Sequence, residues 1–146
     1  MKKGHASVGV QRQWSGRAGK VENCQVGVYA CLGRDTRVCL TDVRLDLPEG
    51  WTQDSARLDK AKVPEQCRVH KTKHEQAWEM IVHARKQGLR FGWVGFDCLD
   101  GKRELLNAVE DLGERFVGDV ARTTKVWTQQ LQLEKPRADR GRPAKN

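Results

Sequence analysis

The sequence predicts an α/β fold in which a mixed sheet carries helices on its faces. Three observations lead there. Residues 7–47 hold three apolar or alternating runs of strand length, separated by glycine and charged breaks. Two later segments carry apolar residues at helical spacing, Ala77, Trp78, Ile81 and Val82, then Leu105, Leu106, Val109 and Leu112. Each is followed by a short apolar run, at 91–96 and 115–121. The order is therefore β, β, β, an irregular stretch, α, β, α, β, which suits a sheet covered by helices.

Taken in order, SVGVQRQW (7–14) alternates, CQVGVYACLG (24–33) is an apolar run after a glycine-marked turn at 16–20, and TRVCLTDVRLDL (36–47) alternates with a slip near Asp42 that reads as a bulge. Together they predict an antiparallel meander. From Pro48 to Lys71 the chain reads as an irregular surface insertion with at most one short helix. Thr72, three residues before Glu75, predicts a capping box that starts a helix, and Gly88 ends it. FGWVGF (91–96) has the continuous apolar character of an inner strand covered on both faces. A helix over 102–112 stops at Gly113, and RFVGDVA (115–121) supplies the last strand. Residues 128–146 have little to bury and read as a basic, disordered tail behind a domain that ends near 127.

The 146 residues fit one domain, long enough to bury roughly 68–70% of its unfolded surface. With 38% apolar and 32% charged residues and a mean hydropathy of −0.73, the core is expected to be modest. A net charge of +8 and a pI near 9.5 favour a polyanionic partner, nucleic acid first. Five cysteines at 24, 31, 39, 67 and 98 are odd in number and form no C-x-x-C pair, which points to a reduced, cytoplasmic setting. Cys31 and Cys39 lie in apolar runs, where a free thiol acts as a small hydrophobe. No signal peptide follows Lys2 and Lys3, and no window approaches the ~20 apolar residues of a membrane helix.

Asp97 is the leading candidate for chemistry, because a carboxylate at the carboxyl end of a buried parallel-type strand stands where open α/β sheets place ligands. The alternative is a cap or turn former shared with Asp100 ahead of the next helix. Asp42, Asp46 and Asp119 are secondary candidates, with solvated strand-face positions as their competing role. Cys67, His70 and His74 give C-x2-H-x3-H, three zinc-type ligands with no fourth. His83 reads as a surface or half-buried histidine. Among the tryptophans, Trp78 and Trp93 read as core, while Trp14, beside Arg12 and Arg17, has the stronger claim to face DNA. Arg12, Arg17, Lys20 and Arg122 form either a phosphate-contacting patch or a solvated surface. In the tail, Arg140-Gly141-Arg142-Pro143 matches the core of a minor-groove hook, or arises from basic composition.

The block SVGVQRQWSGRAGKVENCQVGV after Lys2-Lys3-Gly4, together with LDLPEGW (45–51), KVPE (62–65) and TTKVW (123–127), resembles the catalytic domain of bacterial insertion-sequence transposases of the DDE superfamily. The resemblance spans about residues 2–127, and the RGRP tail resembles the linker that follows in that family. It implies a ribonuclease H-like fold, with two Asp and one Glu holding paired Mg²⁺ ions that cleave and join DNA at transposon ends. GFDCLDG (95–101) resembles the second catalytic segment, so that Asp97 is the catalytic and metal-binding carboxylate; Asp100 stands where the family has tyrosine. The first Asp of that pattern would precede Met1 and the Glu would follow Asn146, so an internal fragment is expected, lacking the first strand and last helix.

Two functions, and a weaker third, follow from these readings. One is a transposase fragment, inactive alone and completed by an oligomer or a complementing chain. The other is a stand-alone basic DNA-binding protein without catalysis, with a small nuclease built on a new carboxylate set as a third. Neither needs a membrane.

Overall fold

Four strands open the chain as two hairpins. In the computed structural model, which describes residues 3–97, 103–120 and 122–125, β1 (Gln11–Ser15) pairs antiparallel with β2 (Lys20–Cys24), and β3 (Gly27–Arg34) with β4 (Arg37–Leu45). The first strand starts later than its alternation suggests, because Gly9 turns the chain at φ +74° and Val10 N–H donates back to Ser7 O at 3.1 Å. Only glycine fits there: a Cβ would lie 2.8 Å from Asp46 O. The run at 24–33 is not one strand. It breaks at Gln25, whose side-chain amide donates to Val8 O at 2.7 Å, so Cys24 closes β2 and Gly27 opens β3.

The slip near Asp42 is a bulge. Ala30 faces Asp42 and Cys31 faces Leu40, which leaves Thr41 as the extra residue. The bulge keeps Val38, Leu40, Val43 and Leu45 on one face together with Tyr29 and Cys31, and this face is exposed. Cys31 on this face and Cys39 on the opposite one are both exposed thiols rather than packed ones.

The segment read as an irregular surface insertion is instead the centre of the core. It folds into α1 (Glu49–Thr52), α2 (Ser55–Lys60) and a 3-10 turn (Glu65–Cys67), where at most one short helix was expected. Pro48 leads into α1, and Asp54 caps α2 by accepting from Arg57 N–H at 2.9 Å. Trp51 is fully buried, with Leu47, Leu58 and Val63 packed around it. Its indole N–H donates to Val10 O at 2.9 Å, and the Arg57 guanidinium covers the ring at 3.7 Å while donating to His5 O and Val10 O.

α3 (Lys73–Lys86) begins with the expected capping box: Glu75 N–H donates to Thr72 Oγ1 at 3.2 Å, and Thr72 N–H donates to Glu75 Oε2 at 2.7 Å. It buries Gln76 and Met80 and packs on β3, β4 and α4 (Arg103–Asp111), whose buried residues are Leu105 and Val109. After Gly88, at φ +76°, the chain returns as β5 (Val94–Phe96), which pairs in parallel with β6 (Phe116–Gly118).

The apolar run at 91–96 is shorter and more open than an inner strand. Pairing begins only at Val94, whose N–H donates to Arg115 O at 2.8 Å; Phe91 lies under the Arg85 guanidinium, and Trp93 is 57% exposed rather than core. The fold is mixed α/β, but among the described residues its strands form three two-stranded sheets instead of one mixed sheet.

Candidate functional site

The parallel pair creates an edge with two carboxylates. Phe96 is in register with Gly118, and Asp119 N–H donates to Phe96 O at 3.1 Å. Asp97 and Asp119 therefore stand one step beyond the last paired residues, at the carboxyl ends of adjacent parallel strands, and both are exposed. This is the position from which open α/β sheets present ligand-binding groups. Asp100 and Gly101, the rest of that segment, lie outside the described residues.

The other acidic candidates are not solvated strand positions. Asp46 is 4% exposed and pairs with Lys73 Nζ at 3.2 Å. Asp42 accepts from Arg44 at 3.0 Å and meets His83 Nδ1 at 3.1 Å. Burial raises the Asp42 pKa, yet the hydrogen bonds from His83 and the Val43 amide and the charge of Arg44 leave it below the usual range. Carboxylates taken out of water need such partners, and two of them, His83 and Lys73, come from the distant α3. The Asp42–His83 pair joins β4 to α3 across 41 positions, and no local pattern announced it.

The zinc-type residues do not converge. His70 Nδ1 meets Leu47 O at 3.0 Å, and no group of three or more His, Cys, Asp or Glu able to hold a metal occurs among the described residues.

The basic candidates divide. Arg12 and Trp14 lie on one face of the first hairpin, opposite Asn23 and Val21; Trp14 is 54% exposed. Arg17 is exposed in the turn at the hairpin tip. Lys20 is in register with Ser15 on the opposite face and binds Glu22 at 2.9 Å, a pairing that also lowers the Glu22 pKa. Arg122 sits apart, beyond β6. Arg140, Arg142 and Trp127 lie outside the described residues, as does the whole tail from 126.

An α/β domain with carboxylates at the carboxyl edge of a parallel pair and an arginine- and tryptophan-bearing hairpin has the features of a protein that acts on nucleic acid. The family model for the DDE superfamily endonuclease matches residues 1–146, and the chain belongs to that family. Members act on DNA and generally use divalent metal ions, and the chain shares this transposase-like nuclease ancestry. No curated protein and no solved structure matches it. Among the described residues no helix is long and apolar enough to cross a membrane.

Proposed function

We propose that this chain is part of a transposase catalytic domain of ribonuclease H-like architecture, supplying one carboxylate of the metal site, Asp97, and unable to cleave DNA alone. The position of Asp97 at the carboxyl end of β5 in a DDE-family chain carries this reading. Asp119 gives a second oxygen donor beside it. Magnesium takes oxygen ligands in near-octahedral order, and paired ions need more carboxylates than these two. The described residues thus do not fit a two-metal centre, and no cleavage step is assigned to them.

Support for an incomplete sheet comes from the groove between β3 and β5. Its volume is about 620 Å³; residues 28–34 form one wall, 89–96 the other, and Ala77, Met80, Ile81 and Ala84 of α3 also line it. Among the described residues each strand is paired along one edge only, and their Cα atoms stay more than 8 Å apart. Neighbouring strands lie about 4.8 Å apart, so a slot for one strand is about twice that width. An inserted strand from a complementing chain or an oligomer partner would pair with both edges.

DNA, in the form of transposon ends, is assigned to the face of Arg12 and Trp14 and to Arg17, with Arg122, Lys20 and the tail arginines Arg140 and Arg142 as further phosphate or minor-groove contacts. The domain is taken to end near 127 and the tail to occupy 128–146, in a cytoplasmic protein. The alternative, a DNA-binding protein without catalysis, rests on the exposed Arg12–Trp14 face alone.

Manganese titration followed by NMR separates the two. Paramagnetic broadening of amides at the ends of β5 and β6, lost in Asp97→Asn, is the expected result, together with salt-dependent DNA binding and no plasmid nicking. Nicking of equal rate in the parent and in Asp97→Ala would remove Asp97 from the chemistry. DNA binding with no manganese response would favour the alternative.

A further inference from the structure

The parallel pair has one sheltered face and one open face. Val94, Phe96 and Phe116 are half-buried, whereas Gly95 and Val117, which stand in register with each other, are exposed. Continued by two residues each way, the open face runs from Trp93 and Arg115 at the amino end to Asp97 and Asp119 at the carboxyl end. Trp93 and Arg115 lie on one side of the pair, with the guanidinium 4.6 Å from the ring centre.

The strip between the two ends is flat and unobstructed. A Cβ on Gly95 would meet nothing within 4 Å among the described residues, and Val117 is 62% exposed. Its polarity sets it apart from the apolar open face of β3 and β4. An apolar protein element laid along it would desolvate Arg115 at one end and two carboxylates at the other without compensation. Glu114, the acid beside Arg115 in sequence, is already committed to Arg85.

A ring with a cation stacked on it is the combination that holds a nucleotide, the ring taking the base and the guanidinium the phosphate. Inside a duplex both faces of a base are covered by its neighbours, so a base lying on Trp93 is unpaired or terminal. Four residues of strand separate Trp93 from Asp97, ~13 Å. Stacked bases rise about 3.4 Å each along a strand, so this span is at most about four nucleotides.

We propose that Trp93 and Arg115 form a positioning site for an unpaired DNA nucleotide, within four nucleotides of the phosphate held at the Asp97 edge. The spacing rests on the reading of Asp97 given above; the nucleotide site itself rests on the open face.

The test measures fluorescence anisotropy with the full chain at one salt concentration and two labelled probes, a blunt DNA duplex and the same duplex with a four-nucleotide overhang. The parent should bind the overhang probe about tenfold more tightly, as one stacked base provides. Trp93→Leu and Arg115→Ala should abolish that preference and leave the blunt affinity unchanged, whereas Trp93→Phe, which keeps a flat ring, should retain most of it. Trp93 is exposed, so its variants should melt with the parent and weaker binding cannot be read as lost folding. Equal affinity of the parent for the two probes, or a preference that survives Trp93→Leu, would overturn the proposal. A manganese response lost in Asp97→Asn alongside that failure would leave the Asp97 reading standing. An overhang preference lost in Trp93→Leu with no manganese response would instead keep the nucleotide site and overturn its link to Asp97.

Discussion

Two tryptophans mark two kinds of packing in this molecule. Trp51 is fully enclosed, hydrogen-bonded through its indole N–H and covered by Arg57, and the surrounding cluster ties α1 and α2 to the start of the chain. Trp93, at the entry to β5, is 57% exposed, with the Arg115 guanidinium 4.6 Å from its ring centre. The region around Trp51 stabilises the fold. The region around Trp93 carries the candidate chemistry at Asp97 and leaves Val117 and Val120 exposed. The lesson is one of division: the well-packed half holds the chain together, and the open half presents the carboxylate edge and the groove between β3 and β5.

The sharpest way to break this contrast is to truncate both rings. Trp51→Ala should cost about 3–5 kcal/mol through cavity formation and a lost buried hydrogen bond, enough to abolish the cooperative urea transition. Trp93→Ala should cost less than about 1 kcal/mol, as expected of an exposed side chain. Comparable losses in urea denaturation would erase the distinction between the two halves.

How much of this was legible in the sequence follows the range of the interactions involved. The capping box at Thr72–Glu75, the stop at Gly88, the bulge beside Asp42 and the parallel strand ending at Asp97 are set by neighbours within a few residues, and all could be read. The Trp51 core could not, because residues 48–71 show no period; two short helices with one buried residue each give no stripe to detect, and besides Leu47, Leu58 and Val63 the cluster draws on Val8 and Val10 some forty positions away. For the same reason the burial of Asp42 and Asp46 is not legible locally: His83 and Lys73, which cover them, arrive from α3. Trp93 misled in the opposite direction, since an apolar run resembles an inner strand whether or not neighbouring strands are present to bury it.

A milder probe asks how far the open half depends on its helix. Leu105 on α4 is 3% exposed, and Leu105→Ala should cost about 3 kcal/mol. Hydrogen exchange should then accelerate in β6, which α4 contacts, more than around Trp51. Uniform acceleration would show that the halves unfold as one unit. Thr72→Ala removes the cap of α3, which packs on both β3 and α4, and should cost about 1 kcal/mol with slower exchange retained in α1 and α2.

The smallest effect concerns the ion pair that fastens β6 to α3. Glu114 accepts from both Arg85 Nε and a terminal nitrogen, while the same guanidinium covers Phe91. The hydrogen bonds from Arg85 hold the Glu114 pKa below the usual glutamate value and raise that of Arg85. A carboxylate with a lowered folded pKa contributes stability that is fully present above its unfolded value, about 4.3, and is lost as pH falls through the folded value. Glu114→Gln should therefore melt below the parent at neutral pH, and the two melting curves should converge once the pH drops under about 4. A gap that stays constant down to pH 3 would mean that packing of the side chain over α3, rather than its charge, fastens the open half.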